Sequence, residues 1–210
     1  MFTPADLPAP RYRMDSDAIL EAMARIGLTK PTGDDLRAGA ALAENLMNHK
    51  VVSVETLLAV QAAQPASSLV FKEDGVVTGT TGQLMLRANA IPAFFEDRFS
   101  STVVNLDFLA RDGEWIAVGY GWGLAAATPA AREAVMASAQ LFRCDLFPHL
   151  ATFARAVSPV GRHISIAYYH YKPFRHPDDD LLLRLPCVEA QAATDAARAA
   201  RALVRKVVAA

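Results

Sequence analysis

A β-hairpin pattern near the middle of the chain constrains the fold more than any other feature. Two runs rich in β-branched and apolar residues, 68–72 and 76–81, flank the turn Glu73-Asp74-Gly75. Asp-Gly between such runs is a strong signal for a tight turn that joins antiparallel strands. Residues 83–87 can extend the second strand. Because helical patterns precede this hairpin, the chain must build a sheet that helices cover.

Helical and strand patterns alternate through the rest of the chain. Apolar residues at helical spacing, with capping residues at the ends, predict helices over 18–26, 33–49, 54–63, 91–99, 130–142 and 190–208. Short apolar runs predict further strands over 106–109, 114–118, 152–157, 164–171 and 181–185. This order favours an α/β or α+β fold, a mixed central sheet flanked by helices on both faces.

The chain length indicates a single domain. With 210 residues, of which 52% are hydrophobic, the chain can bury one sizeable core. We expect an N-terminal arm with helices over 1–40, a core over 41–188 and a C-terminal helix over 189–210. Residues 193, 197, 200 and 204 form an apolar face on that last helix. This face predicts packing on the core or on a second copy in a homodimer.

Charge and composition exclude several classes of partner. With 21 basic and 22 acidic residues, the chain has no excess charge to attract nucleic acid or an anionic membrane. It has no apolar run of about 18 residues that would span a bilayer. Cys144 and Cys187 have no second ligand at metal-binding spacing, so no metal site is expected. The first residues lack a secretory pattern, which predicts a cytoplasmic location.

A glycine-rich segment lies between a predicted strand and a predicted helix. Gly119, Gly121 and Gly123 follow the apolar run 114–118, and Thr128 with Pro129 starts the next helix. A loop in this position can present backbone N–H groups to a pyrophosphate or a phosphopantetheine. The alternative is a tight bend or a bulge beside Tyr120 and Trp122.

Several side chains have the chemistry of a transfer site. His49 stands at a predicted helix end, where an imidazole can accept a proton from an amine or simply satisfy a carbonyl. Asp107 and Asp112 are the acids nearest the expected central strands. Arg155 and Arg162 precede an aromatic stretch over 168–174, which can bind a ligand or form an exposed surface.

The order of these elements resembles the GNAT acyltransferase fold, and within it the toxin-activating lysine acyltransferases. The matching segments are Leu46-Met47-Asn48-His49-Lys50, residues 61–64, the hairpin 69–79, Arg111-Asp112-Gly113-Glu114-Trp115-Ile116, Leu146-Phe147-Pro148, Phe153-Ala154-Arg155 and Val160-Gly161-Arg162. Together they lie within residues 42–170. Two positions depart from the family pattern, since Leu46 replaces its serine and Val118 replaces its aspartate.

The resemblance implies an N-acyltransferase that moves an acyl group from acyl-CoA or acyl carrier protein to an amine, such as a protein lysine. His49 would be the base, with Asp112 or Asp107 in place of the missing aspartate. The glycines 119, 121 and 123, together with Arg155 and Arg162, would bind the donor. The alternatives are a catalytically inactive GNAT-fold protein that binds a partner through residues 168–174, and a sensor domain with the same element order.

Overall fold

The computed structural model describes residues 2–47 and 51–186. The strands are β1 (Tyr12–Arg13), β2 (Leu28–Thr29), β3 (Ser68–Glu73), β4 (Val76–Leu86), β5 (Trp115–Ile116), β6 (Val118–Ala126), β7 (Thr152–Arg155), β8 (Lys172–Pro173) and β9 (Leu181–Arg184). The α-helices are α1 (Ser16–Ala24), α2 (Gly33–Met47), α3 (Val54–Ala63), α4 (Ile91–Phe95), α5 (Pro129–Gln140) and α6 (Pro159–Ala167). A π-helical turn, Leu141–Leu146, continues α5.

Seven of these strands form one mixed sheet in the order β2-β3-β4-β6-β7-β9-β8. Strands β6 and β7 are parallel, and the other neighbours in this sheet are antiparallel. Strands β1 and β5 form a separate two-stranded ladder. The predicted mixed central sheet flanked by helices is therefore confirmed.

The predicted hairpin is confirmed as β3 and β4. Asp74 and Gly75 occupy the turn with φ angles of 51° and 82°. Two consecutive positive φ angles are what a two-residue turn between twisted strands requires, and the Asp-Gly pair tolerates them. The turn therefore sets the register of the first two pairs, Glu73 with Val76 and Lys72 with Val77, before a bulge shifts the pairing by one residue.

Helices cover both faces of the sheet. On one face, Thr80 of β4 lies against Gly39 of α2, and on the other face Gly79 lies against Ala131 of α5. The α2 face also carries a stacked aromatic core, in which the ring of Phe94 lies 4.0 Å from that of Phe153. A second core lies on the opposite face, where Met23 of α1 and Phe142 of the π-helical turn are buried.

Three local predictions were wrong. Residues 106–108 form a 3₁₀ turn rather than a strand, because the Asn105 side chain accepts a hydrogen bond from the Asp107 N–H and closes the turn. Residues 159–167 form α6, although a strand was predicted over 164–171. The helix forms because the Ser158 side chain caps it and Pro159 starts it. The glycines from 119 to 123 lie within β6 rather than in a loop.

The predicted aromatic surface over 168–174 is partly interior. Tyr171 and Phe174 are buried in the core, whereas Tyr168 is exposed. The predicted C-terminal helix over 190–208 lies outside the described residues. Within the described part of the chain, no helix is long and apolar enough to cross a membrane.

Candidate functional site

A cleft opens where strands β6 and β7 part. The two strands pair over only three residues, from Gly119 with Thr152 to Gly121 with Ala154. Beyond that point β6 continues to Ala126, while β7 ends at Arg155 and the chain turns into α6. The space between them has a volume of about 430 Å³ and is open to solvent. Volumes of this size are typical of sites for small molecules and cofactors.

A β-bulge lies at the start of the cleft. Gly82 of β4 pairs with Gly123 of β6, but the next residue, Gln83, pairs with Gly121. Trp122 is therefore the extra residue, and a bulge of this kind bends its strand and increases its twist. The indole Nε1 of Trp122 donates a hydrogen bond of 2.7 Å to the carbonyl of Ser101, which lines the cleft.

The bent part of β6 has one free edge. Residues 123–126 pair with β4 on one side, and within the described residues no strand pairs with their other side. Backbone N–H and C=O groups of a strand alternate between its two edges, so some of these groups face the cleft. An extended ligand that carries amide groups can pair with such an edge.

The walls of the cleft are mainly apolar. They include Leu124 from β6, Val135 and Met136 from α5, and Val160 and Ile164 from α6. The cleft passes through the sheet, because Met47, Ser101 and Thr102 line it on the α2 face while α5 and α6 line it on the other. A chain-like ligand can therefore enter from one face and reach the other.

Tyr120 and Arg155 are two of the polar residues that line the cleft near the point where the strands part. Tyr120 is 2% exposed, and burial raises the pKa of its phenol, although the hydrogen bond with Ser101 and the charge of Arg155 oppose this. The phenol therefore keeps its proton at neutral pH. The Nη1 of Arg155 lies 2.7 and 2.8 Å from the two carboxylate oxygens of Asp180, so an internal ion pair neutralises this arginine.

The glycines named from the sequence have different roles within β6. Gly121 and Gly123 line the cleft, and a side chain at Gly123 would meet nothing within 4 Å. Gly119 is instead packed, because a Cβ there would lie 3.3 Å from the Leu150 side chain. The open space therefore lies over the last two glycines, on the strand itself.

Asp112 and Arg162 do not line the cleft. One carboxylate oxygen of Asp112 accepts a hydrogen bond of 2.8 Å from the Ser16 N–H, so Asp112 stabilises the start of α1. Arg162 donates hydrogen bonds of 2.6 Å to the backbone carbonyls of Asp179 and Pro177, which holds the β8–β9 connection. Both side chains form hydrogen bonds with backbone groups that are distant in sequence. No sequence pattern indicated these partners.

His49 lies outside the described residues. Met47 and Val51, each two peptide bonds away from it, both line the cleft. Asp107, the other acid considered from the sequence, is exposed in its 3₁₀ turn.

The N-terminus of α5 already holds a carboxylate. The Thr128 side chain accepts a hydrogen bond from the Ala131 N–H, and Pro129 has no N–H to offer. Glu73 accepts hydrogen bonds from the hydroxyls of Thr128 at 2.5 Å and Thr78 at 2.7 Å. These bonds hold the pKa of Glu73 below its usual value, so it is anionic at neutral pH. This helix end therefore offers an incoming anion few free donors and a like charge.

Sequence reasoning missed Gln83, Tyr120 and Arg143 as residues that line the cleft. The alternation of glycine with Tyr120 and Trp122 has the period of a strand, and this was the available signal. Gln83 and Arg143 carried no local signal, because the parting of β6 from β7 is what places them at a cavity.

Comparisons with known proteins give little beyond this geometry. No protein-family model matches the chain, and no curated protein matches it. The structure of Ard1 from Thermoplasma volcanium has a TM-score of 0.46 and 13% identity, over 76% of this chain and 97% of that one. Chaetomium thermophilum Naa20 in complex with a bisubstrate analogue has a TM-score of 0.43 and 14% identity, over 75% and 83%. Likenesses this weak establish neither a substrate nor an activity.

Proposed function

We propose that this protein is an N-acyltransferase that takes an acyl group from a thioester and transfers it to an amine. The observation that carries the proposal is the parting of β6 and β7 after three residue pairs. This creates an apolar cleft through the sheet with a free strand edge along one wall. A pantetheine arm is an extended chain with amide groups, so it suits that edge, and its acyl group suits the apolar walls.

In the proposed reaction, the amine attacks the thioester carbonyl, a C–N bond forms and the C–S bond breaks. The amine must lose a proton, and the departing thiolate must gain one. We assign the first role to His49, since its neighbours Met47 and Val51 line the cleft. We assign the second role to Tyr120, whose raised pKa keeps its phenol protonated.

The donor in this proposal is an acyl carrier protein rather than coenzyme A. Coenzyme A would bring a pyrophosphate and a ribose phosphate, whereas a carrier protein presents its pantetheine arm on a single phosphodiester. Glu73 at the start of α5 would repel the more highly charged donor, and few backbone N–H groups are free there to compensate. The acceptor, for which a protein lysine is our proposal, would approach from the side of Ser101 and Thr102.

Thermal unfolding in the presence of ligands tests this proposal. The panel contains coenzyme A, short- and long-chain acyl-CoA, acyl-pantetheine and an acylated carrier protein. A ligand at about 100 times its dissociation constant adds roughly 2.7 kcal/mol to the free energy of unfolding, which shifts the midpoint measurably. We expect the acylated carrier protein and acyl-pantetheine to stabilise the protein more than the matching acyl-CoA does.

Two variants separate the roles in this panel. His49→Ala should retain the stabilisation by the donor but lose acyl transfer to an amine. Glu73→Gln should strengthen the binding of acyl-CoA and leave that of acyl-pantetheine unchanged, because acyl-pantetheine carries no phosphate. If no thioester stabilises the protein, the acyltransferase proposal fails.

A second candidate function is thioester binding without transfer. The observation that favours it is the absence of any carboxylate among the cleft-lining residues that the structure describes, since Asp112 serves α1 and Asp180 pairs with Arg155. A histidine base without a carboxylate to orient it is less effective. Donor stabilisation without any turnover in the wild-type protein would support this second function.

A further inference from the structure

The inner end of the cleft contains a buried cation. Arg143, in the π-helical turn after α5, is 5% exposed and lines the cleft. Its guanidinium carbon lies 4.2 Å from the ring centroid of Tyr169 and 5.2 Å from that of Tyr171. Its Nε and Nη1 are buried and have no hydrogen-bond partner within residues 2–47 and 51–186. No carboxylate in those same ranges forms an ion pair with it.

A second polar group without a partner lines the same cleft. Gln83 is 8% exposed, and neither its Nε2 nor its Oε1 has a hydrogen-bond partner among the described residues. Its Oε1 would lie 3.9 Å from a Cβ placed on Gly121, so the amide reaches the wall of the cleft. Gln83 also borders a small internal cavity beside Ser67, Thr81 and Ser138.

Both groups keep buried polar atoms that have no hydrogen-bond partner among the described protein atoms. Burying a charged group is costly unless it is paired, and contact with aromatic rings offsets only part of that cost. A bound anion on the free N–H groups of Arg143 would supply the missing hydrogen bonds. The π-helical turn places the guanidinium there, and such turns are frequent at functional sites.

The chemistry of this position favours a carboxylate over a phosphate. A guanidinium N–H donates a strong, charge-assisted hydrogen bond to a carboxylate oxygen. A phosphate dianion would need a further cation close to Arg143, yet Asp180 neutralises Arg155, and Arg132, which also lines the cleft, is exposed to solvent on α5. The remaining walls are apolar, which suits a carbon chain that ends in one carboxylate.

We propose that Arg143 and Gln83 form a carboxylate-binding subsite at the inner end of the cleft. The carboxylate belongs to the small molecule in the cleft and has two sources. It is either the far end of a dicarboxylic acyl group on the donor or the carboxylate of a free amino acid that replaces the protein lysine as the acceptor. This inference deepens the proposed acyltransferase function and rests on it only for the identity of that molecule.

Calorimetric titration of the wild-type protein with matched pairs of ligands tests the subsite. The donor arm compares succinyl-pantetheine with succinamyl-pantetheine, whose terminal group is a neutral amide of the same shape. The acceptor arm compares norleucine with norleucinamide, and a third arm compares free glutarate with its neutral diamide. We expect the carboxylate member to bind at least about tenfold more tightly in the arm that matches the natural source.

Variants at Arg143 assign that preference to the subsite. Arg143→Gln should abolish the preference for the carboxylate and leave the affinity for the neutral member unchanged. Arg143→Lys should retain part of it, because a charge remains without the planar fork. Arg25→Gln is the control, since Arg25 is exposed on the surface and pairs with Glu21.

The outcomes separate this inference from the proposed function. Equal binding of the carboxylate and amide members in all three arms would overturn the subsite, even if both thioesters bind. Binding of free glutarate that depends on Arg143, without binding of any thioester, would support the subsite and refute the acyltransferase proposal. If Arg143→Gln does not fold, the wild-type comparison and Arg143→Lys still decide the question.

Discussion

The stability of the β8–β9 connection should depend on pH through Asp179. This side chain is 2% exposed, and its carboxylate accepts hydrogen bonds from Arg175 Nε at 2.7 Å and from the Leu181 N–H at 3.1 Å. Burial alone would raise its pKa, but these bonds outweigh burial and lower the pKa from 3.8 to about 2. This difference between the pKa values of Asp179 in the folded and unfolded states corresponds to about 2.5 kcal/mol in the free energy of unfolding when the carboxylate is ionised.

The sign of this effect follows from the lowered pKa. The folded protein binds fewer protons at Asp179 than the unfolded chain does between pH 3.8 and about pH 2. The stabilisation is therefore fully present above pH 3.8 and is lost as the pH falls through 2. Asp179→Asn should destabilise the protein at pH 7 and have a much smaller effect near pH 2.

Urea unfolding of the wild-type and Asp179→Asn proteins from pH 7 to pH 2 measures this difference. The variant also loses packing and hydrogen-bond geometry, but that loss does not vary with pH, so the change with pH isolates the carboxylate. Asp178→Asn is the control, because Asp178 is exposed, and it should change stability at pH 7 by less than about 0.5 kcal/mol. If the free energies of unfolding of the wild-type and Asp179→Asn proteins differ by the same amount at pH 7 and at pH 2, the reasoning is refuted.

Three further substitutions test the core and the cleft. Gln64→Ala should lower the free energy of unfolding by about 3 to 5 kcal/mol, because the Gln64 amide makes three hydrogen bonds with the buried backbone of Met85 and Ala110. A loss below about 1 kcal/mol, measured by urea unfolding, would contradict this prediction. Gly79→Ala should cost about 1 to 3 kcal/mol, since a Cβ there would lie 3.0 Å from that of Ala131. Gly121→Ala should change stability by less than about 1 kcal/mol, because its nearest contact would be an ordinary 3.5 Å, yet it should weaken thioester binding in the cleft. If Gly79→Ala and Gly121→Ala have equal effects on stability and on thioester binding, the cleft does not lie over Gly121.

Local chemistry was enough to predict much of the architecture. Thr128 caps α5 as the sequence predicts, and the predicted span of α3 agrees with the structure. The Asp74-Gly75 turn has the positive φ angles that the residue types allow. These predictions succeeded because each depends on interactions between residues only a few positions apart.

The predictions that failed depend on partners distant in sequence. The glycine-rich segment 119–123 has little intrinsic strand preference, and it is a strand because β4 and β7 pair with it. Asp112 looked available for catalysis, but folding brings the start of α1 against its carboxylate. Neither contact leaves a trace in the local pattern of residues.

The sequence by itself determined the hairpin, the cap of α5 and the mixed composition of helices and strands. The tertiary structure decided where a ligand can bind, because the cleft exists only where β6, bent at Trp122, separates from β7. It also decided which polar groups remain without partners, since the burial of Gln83 and Arg143 depends on how α5 and α6 pack beside the sheet. Hydrogen bonds and burial in a cavity are properties of the assembled chain, and no short stretch of residues carries them.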